Sequence, residues 1–118
     1  MDSILVSVKK MLGIAPQYIQ FDEDIIMHVN TAFFTLLELG IGPKDGFQIE
    51  DGTAEWDDFL VPNPILLNAV KTYISQKVRL AFDPPTNSAM LEAIKESIRE
   101  AEWRMNIFVD PADGVFID

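Results

Sequence analysis

NPILLNAVKTYISQKVRLAFDPPTN, residues 63 to 87, is the stretch whose reading decides the fold. Ile65/Leu66, Ala69/Val70, Tyr73/Ile74, Val78 and Ala81/Phe82 recur at three-to-four-residue spacing. Asn68, Lys71, Thr72, Ser75, Gln76 and Arg79 fill the other side. That period belongs to a helix buried along one face. Phe82-Asp83-Pro84-Pro85 must end it, because proline brings no amide hydrogen and drives the residue before it out of the helical region. Thr86, Asn87 or Ser88 then caps a second helix, so the stretch predicts a helix, a sharp corner and another helix, with the rest of the chain packed around the pair.

Beyond the corner, Met90/Leu91, Ile94, Ile98, Ala101 and Met105 form one apolar stripe, and the opposite face is charged. Glu92, Glu96 and Glu100 follow at four-residue steps with Lys95, Arg99 and Arg104 within a turn of them, giving helical pairs of about 0.2 to 0.5 kcal/mol each. A stripe of this kind is first of all a solvated face, and second a surface for a neighbouring subunit or a channel lumen. Trp103 stands one position off the stripe, at the edge of the core or exposed as a contact.

Upstream, Phe21-Asp22-Glu23-Asp24 carries a helix start signal. Asp22 reads as N-cap, with further acids in the positive first turn and Phe21 set to meet Ile26 as a staple. Ile25/Ile26, Val29, Ala32/Phe33 and Leu36/Leu37 sustain the period to Leu39, a helix of roughly 27 Å, before Gly40, Gly42 and Pro43 stop it. Before it, Ile4, Leu5, Val8 and Leu12 line one face of a short helix with Ser3 as cap, Lys9 and Lys10 at its negative end and Gly13 as terminator. A helix this short holds only by packing.

From Lys44 to Pro62 the period breaks. Asp45-Gly46 and Asp51-Gly52 are turn signals around Phe47-Gln48-Ile49, one short extended segment at most. Thr53 is a candidate cap for a single turn in which Trp56 with Phe59 or Leu60 plugs into the core. The expected architecture is all-α: a small bundle of three longer helices plus a short N-terminal helix, with an irregular loop carrying one helical turn. Residues 1–108 form a single domain and 109–118 a Pro/Gly-broken tail whose Val115, Phe116 and Ile117 suggest docking on something.

A length of 118 residues suits one domain with a core that needs no staples. The absence of cysteine excludes disulfides, thiolate metal sites and cysteine nucleophiles. No run reaches the ~18 apolar residues of a membrane span, and the first residues lack the features of a signal peptide, so a soluble, unexported protein is expected. Nineteen acidic against nine basic residues, net −10, argue against gripping nucleic acid, which needs clustered cations. The same acidity fits a surface that DNA passes without sticking, or one that imitates DNA towards a basic partner.

Catalytic and metal signals are weak. His28 has no positioned partner in the sequence and reads as structural. No serine sits in a nucleophile elbow, and no glycine-rich phosphate loop is present. Asp22, Glu23 and Asp24 are first-turn dipole partners before they are a cation site, and the spacing of Asp110 and Asp113 misses a calcium loop. No cofactor or metal is expected. Lys71 and Arg79, two helical turns apart, are a basic complement for a neighbouring subunit.

FDEDIIMHVNTAFFTLLELGIGP from Phe21 to Pro43, the Trp56 loop, VKTYISQKVRLAFDPP from Val70 to Pro85 and Glu102-Trp103-Arg104 together resemble the small helical head-tail connector, or adaptor, proteins of long-tailed bacteriophages and prophages. Tyr73, Lys77, Arg79, Leu80 and the Phe82-to-Pro85 corner, followed a helix later by Glu102-Trp103, carry the likeness, which spans roughly residues 1 to 108. The resemblance implies a non-enzymatic ring of about twelve copies beneath the portal protein in the virion neck, assembled in the host cytoplasm. It implies contacts to the portal and to a downstream neck or tail-completion protein, with DNA passing through and no membrane involved. In that setting Lys71, Arg79, Glu92, Glu96, Glu100 and Trp103 are interface or channel candidates and Asp83, Pro84 and Pro85 the hinge; the tail matches no family motif, and Val115, Phe116 and Ile117 are portal- or partner-docking candidates on their apolar character alone. The competing reading is an acidic regulatory protein of the DNA-mimic kind.

Overall fold

The computed structural model describes residues 3–59 and 63–109, which form five helices and no strand. They are α1 (Ile4–Met11), α2 (Asp22–Glu38), α3 (Trp56–Phe59), α4 (Pro64–Phe82) and α5 (Ser88–Val109). The expected all-α bundle of three long helices, a short first helix and one helical turn is the fold observed.

α4 occupies the middle. α2 packs along it on one side, α5 along another, and α1 wedges against both α4 and α2. Its sequence explains its position. Asn63 Oδ1 accepts the amides of Ile65 and Leu66 at 2.9 and 3.1 Å, and Pro64 occupies the first turn, where no amide partner is needed. Leu66, Val70, Tyr73, Ile74 and Val78 are buried, each apolar side chain contributing about 1.5 to 3 kcal/mol by leaving water. At the far end Asp83 takes φ −149° and ψ 68°, and its amide still reaches Arg79 O at 2.8 Å. The prolines then prevent continuation. Asn87 is the residue that caps α5, its Oδ1 accepting Met90 N at 3.0 Å.

α2 buries Ile25, Val29, Ala32, Phe33 and Leu36 against α4 and α1. Asp22 is not its cap: the helix begins at Asp22 itself, and Phe21, in the cap position, makes no side-chain bond. The Asp22 carboxylate is drawn away by Lys9, whose Nζ lies 2.8 Å from Oδ1 and 3.0 Å from Pro16 O. Oδ1 has no aligned hydrogen-bond donor, so this contact acts by charge rather than by hydrogen-bond geometry. Lys9, placed by its sequence at the negative helix end, is 1% exposed and belongs to the core. Ion pairing compensates part of the cost of burying the ammonium. The Phe21 ring meets Tyr18 and Phe82 edge-on, at centroid distances of 5.7 and 5.3 Å.

The segment between α2 and α4 is irregular and closely held. Asn30 clamps Ile49 with both ends of its amide, Nδ2 donating to Ile49 O at 2.9 Å and Oδ1 accepting Ile49 N at 2.8 Å. Phe33, Phe47 and Phe59 form an aromatic cluster with centroids 4.7 to 5.4 Å apart. Gly42 needs its φ of +94°, and a Cβ there would run into the Phe59 ring. Thr53 does not cap the turn at Trp56; its amide and hydroxyl both bind Asp51 Oδ1. Instead Asp58 Oδ2 reaches back to Glu55 N at 2.8 Å, which is the acidic half of a capping box. Trp56 and Phe59 enter the core as expected, Trp56 donating Nε1–H to Ser7 Oγ at 3.1 Å; Leu60 lies outside the described residues.

Candidate interaction surfaces

The long helices are joined by polar contacts as well as by packing. Tyr73 Oη donates to Glu102 Oε2 at 2.7 Å, and Lys77 Nζ stands 3.9 Å from the same oxygen. Burial first, then the bond to Glu102 and its negative charge, hold the Tyr73 phenol well above its ordinary range. Ser97 Oγ donates to Gln76 Oε1 at 3.1 Å one turn along, and Asn106 Nδ2 reaches Leu39 O at 3.3 Å. These bonds fix the register of α5 on α4 and tie its last turns to the end of α2.

On the outer face of α5 each acid of the stripe has a base. Glu92 faces Lys95 at 3.8 Å, Glu96 binds Arg99 at 2.6 Å and Glu100 binds Arg104 at 2.8 Å. The six side chains are 42 to 70% exposed, so these pairs do little for stability, but they make the face mixed in charge. The concentrated acidity lies elsewhere. From Lys44 to Asp58, Asp45, Glu50, Asp51, Glu55, Asp57 and Asp58 are opposed by Lys44 alone. Within that loop the Thr53 hydroxyl and amide hold the Asp51 carboxyl below its usual range.

The other candidates are dispersed. Lys71 is half-buried with Nζ 5.7 Å from the Trp56 ring centre, a cation–π contact that binds α4 to α3. Arg79 is exposed on the last turn of α4 and enters no ion pair among the described residues. Trp103 is 61% exposed, the outward of its two expected positions. Asp83 and Pro84 are exposed and Pro85 half-buried at the corner. Val115, Phe116 and Ile117 lie outside the described residues.

Exposed apolar side chains run from Met11, Tyr18 and Ile19 around the α1–α2 connection to Met90 and Trp103 on α5, and two further pairs of them border recesses. Met27 and Phe34 project from α2 beside Glu23, Asn30 and Thr31. Ile65 and Phe108, 77% and 53% exposed, flank a cleft where the start of α4 meets the end of α5. His28 faces Phe82, centroid to centroid 6.5 Å, beside a recess lined by Thr31, Ala32, Lys77, Leu80 and Ala81. Among the described residues no cluster of histidine or acids could hold a metal, and no helix is long and apolar enough to cross a membrane.

Residues 4–112 match the family model described as Phage connector protein. The chain belongs to that family. Neither the curated proteins nor the solved structures contain a match to this connector. Membership makes the connector a structural phage protein that works against other head or tail components. It also gives the Tyr73, Lys77 and Glu102 contact a setting: residues that carried the resemblance in sequence meet at one point in the connector's fold.

Proposed function

We propose that the chain is a head-tail adaptor, assembling as a ring of about twelve copies beneath the portal and extending the DNA channel towards the tail. The observation that carries this reading is the family match over nearly the whole chain. Two further features support it. A ring closes through a heterologous contact between two different patches of the same chain, and the exposed apolar residues of α2 lie apart from those at the α4/α5 cleft. The net charge of −10 lets DNA slide past without being held.

In this assembly the mixed-charge face of α5, with Glu92, Glu96, Glu100 and Trp103, serves a neighbouring subunit, and Arg79, which enters no ion pair among the described residues, offers its cation to it. The acidic loop from Asp45 to Asp58 is the better candidate for the channel side. Asp83, Pro84 and Pro85 set the angle between α4 and α5, an error in which would repeat at every interface. Val115, Phe116 and Ile117 supply an apolar segment for the portal, and a downstream neck or tail-completion protein closes the other end.

The acidic loop also favours a second reading, an acidic protein that occupies a basic partner's surface in place of DNA. Light scattering with negative-stain imaging separates the two. Rings, formed alone or on added portal, are expected for the adaptor. A monomer or dimer that ignores portal and competes with DNA for a basic partner is expected for the mimic. The free chain being monomeric does not count against the adaptor, since a template can drive ring closure by mass action.

A further inference from the structure

The cleft between the start of α4 and the end of α5 is lined by Ile65, Leu66, Ala69, Met105 and Phe108, with Arg104 as its one charged wall. Its volume is about 130 Å³. An apolar cavity of about 150 Å³ takes up benzene, so the space suits a single phenyl ring. Two of its walls, Ile65 and Phe108, are among the more exposed apolar side chains of the described residues. Covering those walls is favourable by about 25 cal/mol for each Å² of apolar surface taken from water.

The chain itself leads to one. Helix α5 ends at Val109, next to Phe108 on the cleft wall, and residues 110–118 continue from that point as DPADGVFID. Phe116 is the sole aromatic residue in that segment. It lies seven positions beyond Val109, a reach of up to roughly 23 Å, and Pro111 and Gly114 are residues that favour turns. Asp118 follows Phe116 by two positions and carries a charge opposite to that of Arg104. Arg104 binds Glu100 through Nη2 alone, leaving further guanidinium donors.

We propose that in the unassembled chain the C-terminal segment folds back on its own bundle, with the Phe116 ring in the α4/α5 cleft and Asp118 against Arg104. The short tether favours this occupant over any free partner, because the local concentration of a linked segment reaches the millimolar range. The seat hides the cleft and the Val115-Phe116-Ile117 cluster together until a partner draws the segment away. The inference concerns the chain alone and stands independently of the ring.

The chain has no cysteine, so a disulfide trap needs no background removal. Ala69→Cys with Ile117→Cys places one thiol on the cleft wall and one beside Phe116, leaving that ring intact. Asn68→Cys with Ile117→Cys is the control, with the same tether but a position that does not line the cleft. Under mild oxidation of dilute protein without portal, the first pair is expected to close within one chain about tenfold faster than the control. Adding Phe116→Ala should erase that advantage. Equal rates for the two pairs, a rate unmoved by Phe116→Ala, or a disulfide-linked dimer as the main product would each overturn the proposal, the last by assigning the cleft to a second copy's tail.

Discussion

Tyr73 and Glu102 meet oxygen to oxygen at 2.7 Å across the α4/α5 seam, from positions 29 residues apart in the chain. The contact fixes the register of α5 and loads one phenol with burial and a carboxylate partner. In the folded chain that phenol holds its proton well above the ordinary value of about 10, whereas the unfolded chain releases it near 10. The contribution is therefore complete below about pH 10 and is lost as pH rises further. Denaturant titrations at a series of alkaline pH values should show a steeper decline for the wild type than for Tyr73→Phe. Parallel declines would remove the phenol as the cause.

At neutral pH, Tyr73→Phe and Glu102→Gln should each lower stability by about 0.5 to 1.5 kcal/mol, the usual net value of one hydrogen bond. Because both act on the same bond, the double variant should lose less than the sum. Additive losses would show that the two residues act separately.

Asn30→Ala leaves both Ile49 backbone groups without their partner. A loss of about 1 to 3 kcal/mol is expected, with faster amide exchange at Ile49 while α4 keeps its protection. Unchanged exchange at Ile49 would mean that the aromatic cluster alone holds the loop.

Gly42→Ala meets two penalties, a φ of +94° and the Phe59 ring. Together they should cost about 2 to 4 kcal/mol by thermal or chemical denaturation. Gly13, with positive φ but open space around a Cβ, should tolerate the same change better. Equal losses at the two sites would assign the whole effect to backbone strain.

Pro84→Ala with Pro85→Ala should change the stability of the isolated chain by less than about 1 kcal/mol, because the corner lies outside the packed core. Assembly on portal should fall sharply, since the error in helix angle repeats around a ring. Loss of soluble folded monomer in this variant would show instead that the corner is a folding element.

The architecture was legible where a local period or stop signal existed. Ile65 to Phe82 keeps a helical repeat, Pro84 and Pro85 cannot continue it, and the observed helix runs from Pro64 to Phe82. The polar joints were not legible, because each depends on which helices meet. Lys9 has the sequence setting of a lysine at a helix end, and only the packing of α1 against α2 turns it into a buried ion-pair partner of Asp22. Asn30 resembles any polar residue on a helix, yet it holds the loop through Ile49, 19 residues away. Thr53 and Asp22 both read as caps and were displaced by nearer partners, Asp51 and Lys9. The glutamates of α5 were legible as a stripe, and their bases lie where helical spacing puts them. The stripe alone does not say what it faces.

The ring is the central claim, and imaging this chain bound to isolated portal tests it most directly. A closed ring, coaxial with the portal and continuing its channel, with the Asp45-to-Asp58 loop on the lumen side, is the predicted result. A chain that leaves the portal bare, or binds as scattered single copies without closing, would contradict it.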